Sequence, residues 1–383
     1  MARALYIHWP FCAKKCPYCD FNSHVRESVD FGRWQDALVA DMRHEAGIGG
    51  GEALTSIFFG GGTPSLMPPA LVGALLEEAE RLWGFANDIE ITLEANPSSV
   101  EAANFADLAH AGVNRVSLGI QSLEDDTLRF LGRLHGVEEA LQALETAQEH
   151  FTRVSFDLIY ALPGQAPEHW CKQLTRALGF GTSHLSLYQL TIEPGTRFQT
   201  EVRLGNITPL EDDPAAELFA LTQELTESAG LPAYETSNHA RPGEESRHNL
   251  TYWRYEDYCG IGPGAHGRRA GAATERHKRP EAFLEAVQTH SDGTKFSRDL
   301  TQSEQASEAI LMGLRLTEGI DFAALEQRLG IPRDRLLVQS KVDLHKGLGL
   351  IWQNGERVGV TTKGRPVLDA LLAELVSDEM VTS

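Results

Sequence analysis

Short apolar runs and amphipathic stretches alternate through the first half of the chain. The runs are ALYIH (4–8), TSIFF (55–59), EITLE (90–94), RVSLGI (115–120), VSFDLI (154–159) and HLSLYQL (184–190). Runs of this length, bounded by polar or turn-forming residues, read as buried strands. The stretches between them have helical spacing. Phe31, Trp34, Leu38 and Met42 recur across 31–46, Pro69 opens 69–83, Ser98 and Ser99 are N-cap candidates for 100–111, and 137–150 and 167–178 complete the series. Apolar strands alternating with helices predict a parallel sheet covered by helices. Six such units fall short of a closed eight-stranded barrel. The expected fold class is therefore α/β, a partial (β/α)6 TIM-like barrel open on one side. A doubly wound sheet is the alternative that this periodicity leaves open.

The rhythm breaks near residue 200. Residues 213–229 are helical in pattern, but 237–280 are rich in Gly, His, Arg and aromatics with little periodicity. Helical patterns return at 302–316, 321–329 and 333–346. LGLIW, an Asn354-Gly355 turn and RVGVT then predict a hairpin, and a helix over 364–376 closes the unit. The expected layout is a core domain over 1–236, an irregular connecting segment over 237–299, and a small winged-helix-like domain over 300–383.

Charge narrows the partners. With 34 basic and 54 acidic residues the chain carries a formal −20, which disfavours nucleic acid or an anionic membrane as the main partner. The C-terminal unit has 9 basic and 12 acidic residues, so its winged pattern is not expected to bind DNA. Residues 1–11 hold no long apolar stretch and no run approaches a membrane span. A reducing cytoplasm is the expected compartment, with membrane contact only through a partner.

Against that background three of the five cysteines cluster: Cys12, Cys16 and Cys19 form C-x3-C-x2-C, with Tyr18 just before the last. Structural zinc takes four ligands, often as two pairs, and no second pair follows. Thiolates are the usual ligands of iron–sulfur clusters, and three of them on a four-iron cluster leave one iron open. Cys171 and Cys259 are isolated and read as packed thiols.

YIHWPFCAKKCPYC, FFGGGTP and HNLTYW together resemble the radical S-adenosylmethionine (SAM) superfamily, and within it the coproporphyrinogen oxidase-like branch, along nearly the whole chain. The resemblance implies a [4Fe-4S] cluster on Cys12, Cys16 and Cys19, with SAM chelated at the open iron and split by one electron from the cluster, which an outside donor supplies. It assigns Tyr18 to the adenine, Gly61, Gly62 and Thr63 of the GGGTP turn to the SAM amino group, and Glu94, Gln121 and Arg133 to polar and carboxylate contacts. Tyr6 and Asp157 complete the set. All sit at or near strand C-terminal ends, where such folds bind ligands.

Two departures from the oxidases bear on function. They carry a further Cys two residues after the third ligand, where this chain has Phe21. They also carry a segment ahead of the cysteine loop, which is expected to be absent here because the motif begins at residue 12. Both departures resemble the heme chaperone (HemW) branch, which implies heme binding and delivery to an acceptor such as a respiratory enzyme. Oxygen-independent coproporphyrinogen III oxidation is the alternative, and a radical SAM enzyme with another substrate a third reading. HNLTYW (248–253) makes His248 the candidate heme ligand and Tyr252 and Trp253 flat packing surface. HGRRAGAATERHKR (266–279) holds five basic residues and one acidic, a solvated loop or a dock for heme propionates. Homodimer formation is left open.

Overall fold

The computed structural model describes residues 3–48 and 52–376. Each predicted strand forms: β1 (Ala4–Trp9), β2 (Leu54–Gly61), β3 (Phe85–Ala95), β4 (Arg115–Gln121), β5 (Arg153–Tyr160) and β6 (His184–Gln189). They lie parallel in chain order. Side chains alternate faces along a strand. Leu5, Ile7 and Trp9 of β1 therefore enter the main apolar core with Ile57, Phe59, Leu93 and Val116 of the next strands. Helices Phe31–Ile48 and Pro69–Trp83 add Trp34, Leu38, Met42, Leu71 and Leu75 to it. Tyr6 and His8 point the other way, into a cavity. The helix expected over 100–111 is two, Ser99–Ala102 and Phe105–His110, with Asn104 as the break between them.

The segment expected to be irregular is a correction to the sequence reading. It contains β7 (Asn238–Ala240), a helix (Arg247–Trp253), β8 (Tyr258–Ile261), β9 (His266–Arg269) and β10 (Ala272–Arg276), and β11 (Thr294–Asp299) follows. Among the described residues the main sheet is one eleven-stranded surface, β11-β10-β9-β8-β1-β2-β3-β4-β5-β6-β7. β8 lies parallel to β1, whereas β9 to β11 and β7 add antiparallel edges. These strands are short and partly polar, so their apolar periodicity is weak. β11 and β7 do not pair with each other, and the barrel stays open.

The C-terminal unit has its own core, in which Ile310, Phe322, Leu336, Val342, Val358 and Leu372 are buried together. Helix Gln302–Gly313 starts with a capping box between Thr301 and Glu304. The Asn354-Gly355 turn joins Ile351–Asn354 to Arg357–Val360.

Candidate functional site

The cysteine loop leaves β1 through a two-residue strand, Phe11–Cys12, which pairs with His24–Val25. Backbone bonds pin its start: the Thr63 N–H donates to the Phe11 carbonyl at 2.8 Å, and the Gly62 N–H to the Trp9 carbonyl at 2.7 Å. The loop thus lies against the GGGTP turn that ends β2. Glycine is needed there. A Cβ on Gly62 would meet the Phe11 carbonyl oxygen at 2.6 Å, and one on Gly61, whose φ is +110°, would meet the His8 ring at 2.4 Å.

Cys12, Cys16 and Cys19 are all unpaired and partly exposed. Hydroxyl and guanidinium donors approach them: Thr63 Oγ1 is 3.4 Å from Cys12 Sγ, Arg133 Nη1 is 3.5 Å from Cys16 Sγ, and Ser23 Oγ is 4.0 Å from Cys19 Sγ. Such donors favour thiolates. Without a metal, burial pushes the Cys12 and Cys19 thiols above their ordinary pKa. Among the described residues no three His, Cys, Asp or Glu side chains gather tightly enough for a single ion. A cubane cluster places each thiolate on a different iron, which suits the looser spacing of this loop. The thiol set and its donors fit that group.

The other residues assigned from sequence surround this loop. Tyr18 Oη is 3.4 Å from Arg133 Nη1. Arg133 Nη2 donates to Asn96 Oδ1 at 2.6 Å and to the Gly119 carbonyl at 2.8 Å. Glu94 Oε2 accepts from the Gly61 N–H at 3.2 Å. Burial, then the neighbouring Asp157 carboxylate, pushes Glu94 up to about 7. Asp157 is itself raised to about 6 by burial, against the Ser186 and Ser117 hydroxyls that favour its charged form. Gln121 closes β4 with φ +71°, and its amide lies next to Gly119. Tyr6 donates to or accepts from His8 Nδ1 at 3.0 Å.

Asn96 was missed from sequence. It bridges Arg133 and Thr63, whose Oγ1 it reaches at 3.1 Å, and its own N–H donates to Glu101 at 2.8 Å. Its position directly before Pro97, after a buried strand, is the signal that could have marked it.

Beside Tyr6, Gly61 and Glu94 opens a cavity of about 730 Å³. Phe21, Tyr252, Trp253, Tyr258 and His266 line it further out, with Met312 from the C-terminal unit. Phe21 is 60% exposed.

The comparisons match this geometry. Residues 6–174 match the Radical SAM superfamily and residues 300–367 the HemN C-terminal domain. The chain is 38% identical to radical S-adenosyl methionine domain-containing protein 1, mitochondrial, of Mus musculus, over 97% of this chain and 87% of that one. It is 35% identical to heme chaperone HemW of Escherichia coli, over 96% and 97%, and 33% identical to that of Bacillus subtilis, over 97% and 100%. The solved coproporphyrinogen III oxidase (HemN) of Escherichia coli superposes with a TM-score of 0.82 at 23% identity, over 97% of this chain and 89% of that one, and shares the fold. The chain belongs to the HemW branch of the radical SAM superfamily.

In this HemW-branch chain His248 and the basic segment both meet partners inside the fold. His248 is 1% exposed. Its Nδ1 is 3.0 Å from Ser56 Oγ and its Nε2 is 2.6 Å from Tyr252 Oη, while the ring stacks on Phe58 with centroids 5.1 Å apart. Both nitrogens are engaged by hydroxyls in this arrangement. The helix sets Tyr252 and Trp253 on the cavity wall. Three arginines of the basic segment are spent within the fold. Arg269 and Arg276 are buried against Glu45, and Arg276 also against Asp41. Removing one partner of such a pair costs roughly 3–5 kcal/mol, which marks them as structural. Arg268 forms a two-armed pair with Glu308 at 2.8 Å on each arm.

Proposed function

We propose that this protein is a heme chaperone: it binds a [4Fe-4S] cluster, SAM and heme, and passes heme to an acceptor protein, a respiratory enzyme being the expected kind. The observation that carries the reading is the large cavity with an aromatic wall that opens off the SAM-side residues, with exposed Phe21 where the oxidases have Cys. The sequence likeness to proteins named heme chaperone supports it.

Cys12, Cys16 and Cys19 would hold the cluster, which when bound supplies an open iron and a single electron. Gly61, Gly62 and Thr63 line the approach for the SAM amino group, with Glu94 able to balance an ammonium. Arg133 is suited to the SAM carboxylate. Its Nε has no hydrogen-bond partner among the described residues, and its contacts to Cys16 and Tyr18 are long. Tyr18 and Gln121 flank the same space, and Asp157 keeps Glu94 basic enough to accept a proton near neutrality. The core would span 1–236 and the C-terminal unit 300–383. No helix among the described residues is long and apolar enough to cross a membrane. A cytoplasmic protein that meets membranes through its acceptor, and draws electrons from a separate donor, is part of the proposal.

The test is anaerobic reconstitution, titration with heme, and transfer from the loaded protein to heme-depleted membranes. Stoichiometric binding and transfer are expected. Formation of protoporphyrinogen IX from coproporphyrinogen III, without heme transfer, would replace this reading by the oxidase.

A further inference from the structure

Two histidines line the cavity, His8 and His266. His8 is 5% exposed, with Nδ1 3.0 Å from Tyr6 Oη and Nε2 2.9 Å from the Asn22 carbonyl, so it has no nitrogen to offer. His266 is exposed at the start of β9, opposite Glu275 of β10, and its ring makes no hydrogen bond to the described residues. The strand's alternation explains its orientation. Residues 266 and 268 face the cavity, while Gly267 and Arg269 are buried, Arg269 against Glu45.

The surroundings of His266 offer a flat aromatic surface and two weakly tied cations, beside the cavity carboxylates Asp20, Glu94, Glu256 and Glu308. Phe21, Tyr252, Trp253 and Tyr258 supply aromatic surface. The cavity cations with the weakest ties are Lys15, whose Nζ is 3.4 Å from the Phe21 carbonyl, and Lys278, 3.7 Å from Glu275 and 62% exposed. Arg268 is committed to Glu308. Asn22 fixes these parts relative to one another: its Nδ2 donates to the Pro263 carbonyl at 2.8 Å and to the Lys278 carbonyl at 2.9 Å. The residue after Phe21 therefore ties the cysteine loop to the turn ahead of β9, which carries His266, and to the chain just past β10. A volume near 730 Å³ lies within the range of sites that enclose cofactor-sized ligands.

We propose that heme binds in this cavity with the His266 imidazole on its iron, Phe21 and Tyr252 against the ring, and Lys15 and Lys278 on the propionates. The proposal rests on the heme reading above and names the site for it. It also puts heme beside the residues assigned to SAM, in one shared cavity rather than in a separate domain.

The experiment compares the full-length parent, His266→Ala and His248→Ala, each with its cluster reconstituted anaerobically, titrated with hemin and, separately, with iron-free protoporphyrin IX. Cluster absorbance serves as the check on folding. Even outer-shell partners of a metal ligand are worth ~10- to 100-fold in affinity, so His266→Ala is expected to weaken hemin binding by about tenfold or more and to shift the Soret band. Added imidazole should restore the parental band. Protoporphyrin affinity should be unchanged, because only iron uses the imidazole. Lys15→Gln with Lys278→Gln should weaken both ligands, leave the Soret position alone and flatten the salt dependence. A parental Soret band and affinity in His266→Ala, with the parent binding hemin stoichiometrically, would overturn this assignment and leave the chaperone reading standing. A parent that binds no hemin would overturn both.

Discussion

Tyr252 Oη lies 2.6 Å from Nε2 of His248, four residues earlier on the same helix. The i, i+4 spacing stacks the two side chains on one helix face. His248 is braced behind by Ser56 and Phe58, so the histidine of HNLTYW holds the tyrosine in place at the cavity wall. Burial, then the nearby Arg115 charge, lowers His248 to about 3, and it is neutral at physiological pH. His248→Ala should leave two buried hydroxyls short of a partner, at ~1–3 kcal/mol each. A fall in melting temperature with a weaker but unshifted Soret band is expected. A shifted Soret band would instead return His248 to the iron.

Thiol identity is the most direct test of the cluster. Ser at Cys12, Cys16 or Cys19 should abolish the brown absorbance of reconstituted protein. Cys259, buried in β8, and Cys171, on the helix Pro167–Leu178, should tolerate Ser without loss of iron. Equal loss from Cys171→Ser would show that the ligand set is wrong.

Arg133 and Asn96 act as a pair, joined at 2.6 Å. Arg133→Ala should weaken SAM binding by roughly ten- to hundredfold, the worth of a charge-assisted hydrogen bond of ~1.5–3 kcal/mol. Asn96→Ala should weaken it less, through loss of aim. Anaerobic equilibrium dialysis with labelled SAM reads both, and a parental Kd for Arg133→Ala would remove it from the site.

The Glu94 carboxyl sets a pH dependence of opposite sign to that of an ordinary paired carboxylate. Its pKa rises from 4.5 to about 7 on folding, so between these values the folded state holds the proton more tightly than the unfolded chain. Its contribution to stability must then fall as pH rises from about 4.5 to 7, and level off above. Without SAM, Glu94→Gln should melt with a smaller loss of stability than the parent over that window. Parallel melting curves for the two proteins would show that Glu94 titrates normally.

The strands, the cysteine spacing and the GGGTP turn were legible in the chain because each is local. An apolar run buried on both faces shows in adjacent residues, and so does a loop that must present three thiols. The parallel order of the strands then follows, and with it the convergence of Tyr6, Gly61, Glu94 and Arg133 towards the C-terminal ends of adjacent strands. The added strands β8 to β11 were not legible. They are short and partly polar, and the strand that joins them to the barrel, β8, pairs far away in sequence: Ala4 with Tyr258 and Tyr6 with Gly260.

The role of each histidine and arginine was decided only by tertiary structure. By composition His248 and His266 are equivalent imidazoles, and 266–279 is a basic run. Folding gave His248 two buried partners and left His266 facing the cavity. It also placed Arg269 and Arg276 beside Asp41 and Glu45, more than two hundred positions earlier. A chain of net −20 has no shortage of carboxylates for its cations. Which cations stay free depends on desolvation and distance across the fold, and no local pattern encodes either.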